Sequence, residues 1–123
     1  MLLLDSNILI YALSGKYPPL LSLLTSESVL VSVVSKIEVL GYHRLSAADQ
    51  AVANHFFGLI PIVGLDDAVV ERSIQLRQAR KMSLGDAIIA ATALDKNCTL
   101  LTANVDDFRH IEGLKIEAFA PRS

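Results

Sequence analysis

Cys98 is the only cysteine in this chain of 123 residues, so an intramolecular disulfide is impossible and a disulfide-rich secreted scaffold or a cysteine-ligated zinc site is excluded. A reducing cytoplasm fits best. There is no excess of positive charge: 11 Lys and Arg against 13 Asp and Glu leave a net charge of −2 and a pI near 5.8. If the chain handles nucleic acid, a local site or a metal ion must overcome that balance. No long apolar run is present either. The uncharged stretch Ala51 to Leu65 is broken by Asn54, His55, Gly58, Pro61 and Gly64, whereas a membrane span needs about 20 predominantly apolar residues. The apolar start Met1–Ala12 has no preceding Lys or Arg and is interrupted by Asp5, so it reads as mature protein and not as a signal peptide. No glycine-rich loop follows the first apolar run, which leaves a dinucleotide site unsupported. His43, His55 and His110 share no ligand spacing.

What is present is a globular composition. With 52% hydrophobic residues and a mean hydropathy of +0.45, residues 1–123 are expected to form one domain that buries roughly two thirds of its unfolded surface. Leu2-Leu3-Leu4 reads as a buried strand, closed by Asp5-Ser6-Asn7 and followed by a helix capped by Ser6 or Asn7. Pro18-Pro19 opens a second helix to about Thr25. Val29–Val34 has the β-branched, continuously apolar look of a strand covered on both faces, and Ser35 is the expected cap of the helix after it. Ser46 to Asp49 resembles a capping box for a helix ending at Phe57, before Gly58. Ile60–Val63 is a third strand, at an edge because of Pro61. Helices over Asp66–Lys81 and Ala87–Leu94 follow, then strands Cys98–Thr102 and Leu114–Phe119. Short apolar strands alternating with amphipathic helices predict an α/β fold, a three-layer domain with a mainly parallel sheet. The ligand crevice of such a sheet lies outside the carboxyl ends of its strands.

Acidic residues collect at that rim. Asp5 ends the first strand; Glu38 follows the second, in the expected first turn of the next helix; Asp86 opens a helix after a Ser-Leu-Gly turn; Asp106 and Asp107 follow the fourth strand. Asp5 and Asp86 also suit helix caps, but Glu38, between Ile37 and Val39, is a poor cap type. Crowded carboxylates in a low-dielectric crevice either take up protons or bind a divalent cation. Ligation by oxygen alone points to magnesium or manganese, and hard cations held by acids suit phosphodiester hydrolysis.

The segments LLLDSNILIYAL, SKIEVLGYHRL, MSLGDAIIAATAL and LLTANVDDF, in this order and spacing, resemble the PIN-domain ribonucleases, specifically the small VapC-type toxins of toxin–antitoxin pairs. The resemblance implies a sheet of strand order 3-2-1-4-5 between helices and a metal-dependent endoribonuclease. It makes Asp5, Glu38 and Asp86 the core metal-binding acids and gives Asp107 the fourth acidic place, with Asn104 beside it. It also makes Ser6 or Asn7 the polar neighbour of the first acid, and implies a homodimer blocked by a cognate antitoxin. Thr102 is a candidate for positioning a metal-bound water, and Asp106 has no assigned task.

Arg72, Arg77, Arg80 and Lys81 form the only basic cluster, just before Asp86. A solvated helix face is the default reading; contact of Arg77, Arg80 and Lys81 with RNA phosphates is the functional one. Tyr11, Leu13, Tyr17, Leu20, Leu21 and Leu24 give the early helices more apolar surface than one small domain needs, which predicts a dimer interface there. A phosphatase with an aspartate nucleophile, of the haloacid dehalogenase kind, would carry a second Asp two residues after the first, and Asn7 stands there. A receiver domain would need an Asp after the third strand, where Val63-Gly64 supplies none. The remaining alternative is a catalytically silent PIN-like module that only binds a partner, although all its acidic places are filled.

Overall fold

Strand β1 (Leu2–Leu4) lies at the centre of a five-stranded sheet of order β3-β2-β1-β4-β5, in which every neighbouring pair is parallel. The computed structural model describes residues 1–26 and 28–121. The remaining elements in chain order are α1 (Ser6–Leu13), α2 (Pro18–Leu23), β2 (Val29–Ser32), α3 (Val33–Leu40), α4 (Ala47–Phe57), β3 (Ile62–Val63), α5 (Asp67–Ala79), α6 (Leu84–Asp95), β4 (Thr99–Thr102) and β5 (Ile116–Ala118), with a 3₁₀ turn at Val105–Asp107. The expected fold class and strand order are both found.

The two-residue period of the strands divides the core. Leu4, Leu101, Val29 and Val31 face Ile8, Leu9 and Ala12 of α1, Val39 of α3 and Ala53 and Phe57 of α4. Leu3 and Leu100 point the other way, onto Ile89, Ala90 and Ala93 of α6 and onto Phe108. Adjacent leucines of one strand thus serve opposite layers, which is why the runs are continuously apolar. Each fully buried leucine contributes about 1.5–3 kcal/mol of burial free energy. The alanines of α6 are fully buried, so small side chains there let the helix lie close to the sheet.

Several expected boundaries move. β2 stops at Ser32, whose Oγ accepts the Val34 N–H at 3.1 Å, so Ser32 is the cap of α3 and Val33 and Val34 are helical. Ser35 therefore lies inside the helix, and Glu38 falls in its second turn and not its first. Asp5, in place of Ser6 or Asn7, caps α1. Ser83 caps α6 by accepting the Asp86 N–H at 3.1 Å, which puts Asp86 within the first turn. The surface expected to drive dimerisation is largely used up. Leu20 and Leu24 are buried and Leu13 and Leu21 half-buried, while Tyr11 and Tyr17 pack edge-on to each other and against Phe119. Other large apolar side chains are left exposed, among them Ile10 of α1 with Tyr42 and Val52 across a groove from it, and Leu65, Val70, Ile74 and Leu84 around α5. Among the described residues, no helix is long and apolar enough to cross a membrane.

Candidate active site

Asp5 is tied into the sheet: its N–H donates to the Leu101 carbonyl at 3.0 Å, continuing the β1–β4 ladder one residue past the strand. The residue is only 5% exposed. Oδ1 accepts the Ser6 N–H at 2.8 Å, and Oδ2 accepts the Thr102 hydroxyl at 2.7 Å. Thr102 Oγ1 in turn accepts the Asn104 N–H at 3.0 Å. Burial pushes the Asp5 carboxyl above the usual carboxylate range; the Thr102 and Ser6 hydrogen bonds oppose that rise, and the charges of Glu38 and Asp107 add to it.

Asp86 is half-buried in the first turn of α6. Its carboxyl is also raised, first by burial and next by the Asp5 charge, against a hydrogen bond from Ser83 and with smaller repulsion from Asp107 and Glu38. Glu38 is exposed on α3, and its Oε1 accepts the Ser6 hydroxyl at 2.8 Å. The same oxygen lies 3.5 Å from the point where a side chain at Gly85 would begin, so α3 delivers this carboxylate against the opening turn of α6. Asp107 is exposed on the 3₁₀ turn, where its N–H donates to the Asn104 carbonyl at 3.1 Å. Asn104, which precedes that turn, is exposed, and Asn7 is half-buried in the first turn of α1.

Asp5, Glu38, Asp86 and Asp107 thus come from four separate segments, and the charges of Glu38 and Asp107 bear on both Asp5 and Asp86. None is neutralised by a basic side chain: among the described residues, the ion pairs are Lys96 with Asp66 and Asp95, and Arg109 with Asp106. Asp106, for which the sequence offers no task, is therefore engaged by Arg109. The carboxylates do not close on one point. Among the described residues, no three Asp, Glu, His or Cys side chains stand where they could together hold an ion. The donor chemistry nevertheless fits a hard divalent cation. Every donor is a carboxylate oxygen, Asp5 and Asp86 are raised by burial with repulsion from the other acids added to it, and Asp107 is exposed.

Two parts of this arrangement escaped the sequence. Thr102 holds Asp5 itself. Ser35, expected as a cap, is fully buried, with its Oγ 3.0 Å from Ser6 Oγ. The pattern Ser-x-x-Glu on a helix after a strand was the available signal. Arg77, Arg80 and Lys81 are exposed beside an apolar groove lined by Leu65, Ile74 and Leu84, in the segment leading to Asp86, and Arg77 Nε donates to the Met82 carbonyl at 3.3 Å. Arg72 is exposed on α5.

The sequence profile of the PIN domain matches residues 2–114. Comparison with curated protein sequences finds no match. Among solved structures, the chain is similar to one chain of a toxin–antitoxin complex from Klebsiella pneumoniae, with 28% identity and a TM-score of 0.82 over 98% of this chain and 100% of that one. It shares its fold with a chain of VapBC2 from Rickettsia felis bound to a DNA fragment from their promoter (22% identity, TM-score 0.81, 96% and 98% covered). The same holds for DNA-bound VapBC from Salmonella typhimurium (23% identity, TM-score 0.80, 95% and 96% covered).

Proposed function

Because the chain belongs to the PIN domain family, we propose that it is a metal-dependent endoribonuclease that hydrolyses RNA phosphodiester bonds, and that it is the toxin of a toxin–antitoxin pair. The observation that supports this reading is that four segments bring Asp5, Glu38, Asp86 and Asp107 to one side of the sheet, where the charges of Glu38 and Asp107 bear on Asp5 and Asp86, both raised above the usual carboxylate range, with no basic side chain paired with any of the four among the described residues. Such a cluster is unfavourable in the isolated protein and favourable once a divalent cation sits among its oxygens. Magnesium or manganese is the cation that the oxygen donors suit. When bound, it supplies Lewis acidity and positive charge for phosphodiester hydrolysis.

The protein's own part is positioning. Asp5 is fixed from both sides, by the Ser6 N–H and the Thr102 hydroxyl, so its free lone pairs keep one direction. Ser6 also steers Glu38, and Ser83 orders the turn that carries Asp86. Arg77, Arg80 and Lys81 supply the compensating charge that an RNA backbone needs near four acids.

Toxin partnership rests on the likeness to the Klebsiella pneumoniae complex. An apolar groove lined by Ile10, Leu13, Val39, Tyr42 and Val52 runs up to Glu38, so an antitoxin segment lying in it reaches the acids. An arginine of that segment suits the cluster, because its fork pairs two carboxylates at once. The protein is expected to act as a cytoplasmic homodimer, with the exposed apolar residues around α5 as the surface to be covered. The test is cleavage of single-stranded RNA by purified protein with Mg²⁺ or Mn²⁺ and with excess chelator. Cleavage with metal and none with chelator is the expected result, and full activity in chelator overturns the reading.

A further inference from the structure

Ser35 sits three residues before Glu38 on α3, a spacing that puts the two on one helix face. It is fully buried, beyond the reach of water, so its hydroxyl must find a partner inside the protein. Ser6 Oγ, 3.0 Å away, is that partner, and Ser6 Oγ is itself 2.8 Å from Glu38 Oε1. The protons set the direction. A carboxylate only accepts, so the single hydrogen of Ser6 goes to Glu38, and Ser6 Oγ is left to accept from Ser35. A Ser6 hydroxyl that accepts from Ser35 cannot also donate to it, and the polarisation along such a chain strengthens the last bond. Glu38, by contrast, is a long side chain on an exposed stretch of helix with several rotamers open to it.

We propose that Ser35 is a positioning residue that acts through Ser6 to hold the Glu38 carboxylate against the opening turn of α6, where it faces Asp5 and Asp86; the inference rests on the reading of Glu38 as a metal ligand. Hydrogen-bonded partners behind a ligand typically matter by about 10–100-fold in metal affinity. A purely structural serine pair, by contrast, would affect melting and leave metal affinity alone.

The experiment is a double-mutant cycle of Ser35→Ala, Ser6→Ala and the double variant, with Ser35→Thr as the conservative rescue. Two readouts are taken on RNA-free protein: the Mn²⁺ dissociation constant by calorimetry, and the placement of Glu38 in crystal structures of the parent and Ser35→Ala. Each alanine is expected to weaken Mn²⁺ binding by roughly tenfold, the double variant no more than the worse single, and Ser35→Thr by no more than about twofold, because a relay is lost only once. In Ser35→Ala crystals Glu38 Oε1 should leave its place beside Ser6 Oγ. Parent-like affinity and an unmoved Glu38 in Ser35→Ala overturn the proposal, as do effects that multiply in the double variant. If the parent binds no Mn²⁺, the nuclease reading fails by itself. The crystal comparison then decides the positioning role alone: a displaced Glu38 upholds it and an unmoved one overturns it.

Discussion

Thr102→Val removes one hydroxyl and almost no volume, yet it should change how stability depends on pH. In the metal-free protein the Thr102 hydroxyl donates to Asp5 Oδ2 at 2.7 Å inside a buried site. Asp5 is raised above the ordinary carboxyl value by burial, and Thr102 is the main group that holds it down. A carboxyl whose folded-state pKa is raised contributes stability that is complete below the unfolded value, near 3.9, and is lost as pH rises through the folded value. Without Thr102 the folded value rises further, so more is lost on the alkaline side. Below the folded value the variant lacks a bond to a neutral acid, about 1 kcal/mol; above it the variant lacks a bond to a carboxylate, about 2 kcal/mol. For a domain of this size each kcal/mol shifts the melting temperature by about 4 °C, which predicts falls of about 4 °C at the acid end of a pH series and about 8 °C at its alkaline end. The assay is thermal melting by circular dichroism in chelator, with Thr102→Ser as the control that keeps the bond. A fall of equal size at both ends, or none at the alkaline end, would refute the coupling of Thr102 to the Asp5 charge.

Asp86→Asn should melt above the parent at pH 8 without metal, because it removes a charge that burial and Asp5 both oppose, while RNA cleavage falls to background; a variant that merely unfolds would sink the assignment. Mg²⁺ or Mn²⁺ at about 100 times its dissociation constant should stabilise the parent by about 2.7 kcal/mol and Asp5→Asn far less, read as a melting shift that chelator reverses. Asp106→Ala should leave cleavage unchanged, since that side chain pairs with Arg109, whereas Asp107→Asn should slow it; equal effects of the two would misplace the fourth acid. Arg80→Ala with Lys81→Ala should weaken RNA binding uniformly across sequences and flatten its salt dependence, measured by filter binding at several salt concentrations.

The sheet was legible because parallel strands buried on both faces announce themselves as apolar runs, and each of Leu2–Leu4, Val29–Ser32 and Thr99–Thr102 is such a run. The placement of Asp5 was legible for a related reason: a strand must end at the rim, and Asp5 is the first polar residue after β1. The start of α3 was not. Val33 and Val34 favour a strand, and both Ser32 and Ser35 are able to cap; packing of Val39 under the sheet settled the choice and turned Ser35 inward. The cap reading of Asp5 holds and leaves its second oxygen free for another partner. One oxygen caps α1, while the other is held by Thr102 across 97 residues of chain, a pairing no local pattern reveals. Tyr11 and Tyr17 looked superfluous in the sequence because Phe119, which they cover, lies at the far end of the chain.

The claim that these acids gather around a divalent cation is tested most directly by an anomalous difference map from a crystal soaked in Mn²⁺. The account predicts a peak at about 2.0–2.2 Å from oxygens of Asp5 and Asp86, with Glu38 still beside Ser6 Oγ and Asp107 turned inward from the place it holds without metal. A map with no peak at that rim at millimolar Mn²⁺, or with its peak on surface acids such as Asp66 and Asp67, would contradict it.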